Sequence, residues 1–155
     1  MAEQATLVVI KPDAIQRGLT GFVFSRLEQL RLHVIGAKAL RVSRAMAEEH
    51  YRHLKEKVFF NDLLDHLTGK LHGTSYVLAF VFWGPDAIER VRQVTGATHP
   101  EKADPMSLRG AFGRMTTPGI MENIIHASAD PQDAAREIAL WFRADELLTP
   151  PSAKS

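Results

Sequence analysis

Thr6-Leu7-Val8-Val9-Ile10, closed by Lys11-Pro12-Asp13, is the stretch from which the fold can be read. An uncharged run rich in β-branched residues, stopped by a proline, predicts a buried strand that ends in a turn. Lys11 and Asp13 then stand at a strand's C-terminal edge. Beyond Gly18 and Gly21, Phe22, Phe24, Leu27, Leu30 and Leu32 recur at near-helical spacing, predicting a helix of about three turns. His33 to Val42 supplies a second strand, so the first unit is βαβ. Ser43 can cap a helix whose Ala47, Tyr51 and Leu54 share a face, and Phe59 to Leu67 adds a second short helix, making a hairpin. Tyr76 to Trp83 is the most apolar strand, and Pro85 opens a helix carrying Ile88, Val91 and Val94 that stops at Gly96. Residues 97–122 show no sustained periodicity and read as a long loop, the kind that carries function. Asn123 to Ser128 offers a last strand, and Asp130-Pro131 starts a last helix. Two βαβ units in series predict an α+β fold. It is the ferredoxin-like split βαβ (βαββαβ), an antiparallel sheet with helices on one face and an inserted helical hairpin.

The chain has 155 residues, 45% of them hydrophobic, which suits one domain over residues 1–148 with a frayed tail at 149–155. Nineteen basic and 18 acidic side chains leave a formal charge of +1, too little for a field that would hold nucleic acid or an anionic membrane. The absence of cysteine excludes disulfides, thiolate nucleophiles and thiolate zinc sites. No stretch reaches the roughly 18 apolar residues that span a bilayer, and Glu3 near the start does not suit a signal peptide. The expectation is a soluble, unprocessed cytoplasmic protein.

The familiar phosphate-binding layouts are missing. Gly69-Lys70 is followed by Leu71 and lacks the earlier glycine of a P-loop, and no G-x-G-x-x-G run follows a strand. Of seven histidines, His33, His50, His53, His66, His72 and His99 read as surface residues. His126 differs because it falls within a strand, with Ser128 alternating onto its own face. A satisfied core histidine fits that position as well as a catalytic one. A histidine nucleophile needs one ring nitrogen free and the other held by an acceptor, and Glu137, among apolar neighbours on the next helix, is a candidate. Arg92, Thr98, Arg109 and Lys11 are phosphate ligands in type, although each alone fits a surface charge. Phe59 and Leu63, four apart on a helix, could clamp a base or simply pack in the core.

Val9-Ile10-Lys11-Pro12-Asp13, Asn123-Ile124-Ile125-His126-Ala127-Ser128 and Glu137-Ile138-Ala139-Leu140-Trp141-Phe142 together resemble the nucleoside diphosphate kinase family. Glu49-His50-Tyr51, Phe59-Phe60, Gly96-Ala97-Thr98-His99-Pro100 and Leu108-Arg109-Gly110 lie between them in the family's order, so the resemblance runs from Thr6 to about Leu147. It implies a kinase moving the γ-phosphate from a nucleoside triphosphate to a nucleoside diphosphate by a ping-pong route through phosphohistidine. In that scheme His126 accepts the phosphate, Glu137 and Ser128 support it, and Lys11, Tyr51 and Asn123 surround the transferred phosphate and sugar hydroxyls. Phe59 stacks on the base beside Leu63, and Arg92, Thr98 and Arg109 hold phosphates. Mg2+ would arrive on the nucleotide phosphates with no protein ligand of its own, and the resemblance implies a homo-oligomer, a tetramer or hexamer built from dimers. The chain departs from the family pattern at Ala129, where an Asp is usual, at Ala111 and at His99. Two segments, Gly69 to Ser75 and Arg114 to Glu122, are longer than usual. The competing classes are a regulatory nucleotide binder on the same scaffold and a nucleic-acid-binding ferredoxin-like module. Near-neutral charge and apolar strands disfavour the latter.

Overall fold

The computed structural model describes residues 2–151, so residues 152–155 of the expected tail lie outside the described residues. Strand β1 (Glu3–Ile10) leads through the single helical turn α1 (Pro12–Gln16) and α2 (Thr20–Glu28) to β2 (His33–Leu40). The hairpin is α3 (Arg44–His50) and α4 (Phe60–Leu67), followed by β3 (Val77–Pro85) and α5 (Ala87–Thr95). Then come α6 (Leu108–Phe112), the short strands β4 (Arg114–Met115) and β5 (Met121–Glu122), β6 (Ile125–Ala127) and α7 (Pro131–Trp141). The main sheet has the order β2-β3-β1-β6 with every pairing antiparallel, which is the split βαβ arrangement.

Alternation along β1 builds two cores. Leu7 and Val9 face one side, with Ala47, Leu64 and Trp141; Val8 and Ile10 face the other, with Val23, Leu27 and Val91. The crossover helices α2 and α5 thus share one face as the sequence predicts, but the opposite face is not bare. The hairpin and α7 cover it, because Leu64, Leu67 and Trp141 form apolar stripes that must be buried. The helices on one face expected from the sequence are thus joined by helices on the other.

Several local expectations change. Pro85 ends β3 and does not open α5; Asp86, in the left-handed region at φ 49°, makes the corner. Residues 97–122 are not structureless. They hold a 3-10 turn at Pro100–Lys102, then α6 with Ser107 accepting from the Gly110 amide at 3.1 Å, then the β4–β5 hairpin. Elements of two to five residues are too short for periodicity to reveal. His50, His66 and His72 are buried at 1%, 7% and 6% exposure, against the expectation of surface positions, whereas His33 and His53 are exposed. The two predicted caps are present: Ser43 accepts from the Met46 amide at 3.1 Å and Asp130 from the Asp133 amide at 2.8 Å.

Candidate active site

His126 lies on β6 opposite Val9 of β1, with Ile125 and Ala127 buried on the other face. It therefore points to the side where α3 and α7 pack. Ala134, Glu137 and Trp141 are the buried positions of α7, so a carboxylate occupies the helix's inward stripe. His126 Nε2 is 3.0 Å from Glu137 Oε1, and the Ser128 hydroxyl donates to the same oxygen at 2.7 Å. The Leu7 amide donates in turn to Ser128 Oγ at 3.1 Å, tying the network to β1. A carboxylate can only accept, so Nε2 carries the proton and Nδ1 is left as a lone pair. Burial, outweighing the pull of Glu137, holds His126 below the usual histidine pKa. Burial alone would raise Glu137, but the bonds from His126 and Ser128 hold its carboxyl below the usual range.

The His50 ring stands edge-on to His126, with centroids 4.5 Å apart at 78°. Its Nδ1 accepts from the Trp141 indole at 3.0 Å, and burial pushes its pKa well down. His50, His126 and Glu137 offer ligand atoms within 4.8 Å of one another. The donor set does not suit a metal, because the indole N–H occupies Nδ1 and ligation through Nε2 would require an imidazolate.

Lys11 Nζ donates to Asn123 Oδ1 at 2.8 Å, and Asn123 Nδ2 to the Thr98 carbonyl at 3.2 Å. Burial and the neighbouring Arg109 bring the Lys11 pKa down to about 8. Arg109 is no surface charge: it is 8% exposed and donates to the carbonyls of Asn123, Gly96 and Ile125. These bonds leave one N–H free on each terminal nitrogen. Burial and Arg92 lower its pKa to about 10. Tyr51 is buried at the end of α3, and burial raises its phenol. Just before β6, Ile124 sits at φ 60°, a costly conformation for a β-branched residue. Its amide donates to Asp13 Oδ2 at 2.9 Å, and its carbonyl accepts from the Lys11 amide at 2.9 Å. These bonds hold the strained turn in place.

A cavity of about 660 Å³ gathers these groups. Lys11, Arg92, Arg109 and Asn123 join His126, Tyr51 and Thr98 in its lining, and Phe59, Leu63 and Leu71 add an apolar portion. Phe59 is 44% exposed and outside the core, whereas Leu63 also packs against the core. Every site residue expected from the sequence except Glu137 and Ser128 lines this cavity, and those two stand behind His126. A second depression of about 580 Å³ passes Asp86, Glu89 and Asp130, whose carboxylates suit a polyphosphate poorly.

The sequence pattern of the family described as nucleoside diphosphate kinase matches residues 4–147. The chain belongs to the nucleoside diphosphate kinase family. Among relatives bearing the name nucleoside diphosphate kinase, that of Archaeoglobus fulgidus is 43% identical over 145 residues, covering 94% of this chain and 90% of the relative. That of Thermus thermophilus is 43% identical over 145 residues, 94% of this chain and 99% of its own length. The halophilic nucleoside diphosphate kinase of Halobacterium salinarum in complex with CDP superposes with a TM-score of 0.86 at 38% identity, covering 97% of this chain and 94% of that one. A transition-state mimic of the Borrelia burgdorferi nucleoside diphosphate kinase, with bound vanadate and ADP, gives 0.86 at 36% identity, covering 96% and 92%. Reasoning from sequence overlooked His50 and Trp141 beside the histidine, and His66 behind Asp13. Spacing held one signal: His50 lies three residues after Ala47 on α3, and both are buried.

Proposed function

We propose that this chain is a nucleoside diphosphate kinase that moves the γ-phosphate of a nucleoside triphosphate, mainly ATP, to a nucleoside diphosphate, maintaining nucleoside triphosphate pools. The supporting observation is His126, its Nε2–H tied to Glu137, on the wall of a cation-lined cavity of nucleotide size. The Nδ1 lone pair attacks the γ-phosphorus, the bond from that phosphorus to the β–γ bridging oxygen breaks, and the nucleoside diphosphate leaves with the bond's electrons. A second nucleoside diphosphate then attacks the phosphohistidine with a terminal β-phosphate oxygen, restoring neutral His126. Glu137 stabilises the positive charge that develops on the ring, and Ser128 fixes the carboxylate. Lys11, Arg92, Arg109 and Thr98 hold the phosphates, Tyr51 and Asn123 the region of the transferred group and sugar. The Phe59 face, with Leu63, takes any base by stacking. The Halobacterium and Borrelia proteins, with CDP and with ADP and vanadate, are the relatives that support this reading.

Among the described residues, Asp62 is the one carboxylate lining the cavity, on the helix that carries Leu63, and Asp13 is committed to His66 and Ile124. Mg2+ would therefore enter on the nucleotide, where it neutralises phosphate charge. No helix of the described residues is long and apolar enough to cross a membrane. We further propose a cytoplasmic homo-oligomer, a tetramer or hexamer built from dimers; Phe22 on α2 and Val34 on edge strand β2 stay exposed as apolar surface for a second copy. Incubation with γ-labelled ATP should give acid-labile, base-stable label on wild type and none on His126→Ala. Label on another residue, or normal turnover by His126→Ala, would overturn the proposal.

A further inference from the structure

Two segments on opposite sides of β3 in the chain, 69–75 and 114–122, meet beside the cavity. His72, in the turn after α4, donates through Nε2 to Glu122 Oε1 at 3.3 Å, and both side chains are 5% exposed. Glu122 also receives Arg114 Nε at 2.8 Å and lies 4.0 Å from Arg17, so three stretches of chain converge on one buried carboxylate. His72 Nδ1 is buried without a partner. A fold that only needed to fill this space would do so with an apolar side chain, so the ring's contact with Glu122 is what its position secures. The His72 ring also lies 4.9 Å from that of His66, which donates to Asp13 Oδ1 at 2.8 Å.

Both segments contribute lining. Leu71 precedes His72, and Pro118, Ile120 and Met121 precede Glu122. Glu122 in turn precedes Asn123, the partner of Lys11. We infer that His72 and Glu122 are positioning residues: a buried clasp that fastens the two segments into one wall of the nucleotide cavity and holds that wall against the bound nucleotide. The inference rests on the proposed function for the identity of the ligand. The clasp touches no reacting atom, so its loss weakens binding of every nucleotide and leaves phosphoryl transfer intact.

The test compares His72→Ala, His72→Asn and His72→Gln with wild type, using calorimetric dissociation constants for ADP and CDP beside KM and kcat for transfer. Gln can still donate to Glu122; Asn is too short to reach it but keeps a polar side chain should the Ala variant fail to fold. The Ala and Asn variants should bind ADP and CDP about 3- to 10-fold more weakly, with KM raised alike and kcat within about twofold, and Gln should recover most of the affinity. Unchanged dissociation constants in Ala or Asn, or Gln no better than Asn, would overturn the clasp. The labelling experiment separates the two ideas: an unlabelled wild type refutes the kinase reading, while the ADP and CDP constants still decide the clasp.

Discussion

Lys11 gives the most quantitative prediction of the site. It is 6% exposed, and with a pKa of about 8 it is about 90% charged at pH 7 and about 10% charged at pH 9. If its charge is needed to receive the phosphates, kcat/KM, which reports the free enzyme, falls about tenfold between those pH values. A lysine with an ordinary pKa near 10.4 would lose only a few per cent. The nucleotide does not mimic this limb, because the second ionisation of a phosphate group, near pH 6, is complete by then. Arg109, at about 10, is still about 90% charged at pH 9, so Lys11 dominates the fall up to that point. The assay is steady-state transfer from pH 6 to 9.5 with the coupling enzymes in excess, on wild type and Lys11→Met. The variant should be weak and flat on its alkaline side. Stability should move oppositely: a folded pKa below the unfolded one means the unfolded chain binds more protons between about 8 and 10.5, so folding gains about 3 kcal/mol from this group as pH rises through that range. A wild-type kcat/KM that stays level to pH 9.5 would refute the assignment of a needed Lys11 charge.

On the acid side, His126 is held below the usual histidine pKa, so it remains neutral at pH 7, and the acid limb of kcat/KM should lie below about pH 6.5. Glu137→Gln keeps an oxygen for His126 and Ser128 but removes the charge. The difference between charge-assisted and neutral hydrogen bonds, about 1–2 kcal/mol, predicts a kcat lower by roughly 5- to 30-fold, and kcat within twofold of wild type would count against the role. Phe59→Ala should weaken purine and pyrimidine nucleotides alike by about 1–3 kcal/mol, measured by calorimetry; damage confined to one base class would contradict stacking. Asp130→Ala should cost about 0.5–2 kcal/mol in urea unfolding through loss of the α7 cap, with turnover per folded molecule unchanged. A large loss of transfer with wild-type stability would instead place Asp130 in the chemistry.

The sheet and its crossover helices were legible because their signals are periodic. A β-branched run ended by Lys11-Pro12 and the Asp130-Pro131 cap each carry a local cause that no tertiary context overrides. The covered second face was not legible: the helices over Phe59 to Leu67 and after Asp130-Pro131 could be placed in the chain, but an apolar stripe does not say which side of a sheet it meets. Residues 97–122 hid a helix and a hairpin because each is shorter than a helical period repeated, and their bonds run to side-chain caps and distant carbonyls such as Gly96. The buried histidines were misread for a related reason. Burial of His66 depends on Asp13, 53 positions away, and that of His72 on Glu122, 50 positions away, and spacing along the chain records neither.

At His126 the local and the distant meet, which explains why this one histidine stood out. Strand alternation sends Ile125 and Ala127 into one core and His126 into the other, so its direction follows from sequence. Its protonation state does not. That depends on a carboxylate eleven positions later on the inward stripe of α7, on Ser128 anchored to the Leu7 amide, and on a strained Ile124 held by Asp13. Ala129 offers no carboxylate, Asp130 is spent on the helix cap, and Lys11 takes Asn123 as its partner. A neutral amide, however, does not favour the charged form of lysine as a carboxylate would. With burial and Arg109 opposing the charge and Asp13 offsetting them only in part, the low Lys11 pKa follows, and it sets the alkaline edge of the pH profile.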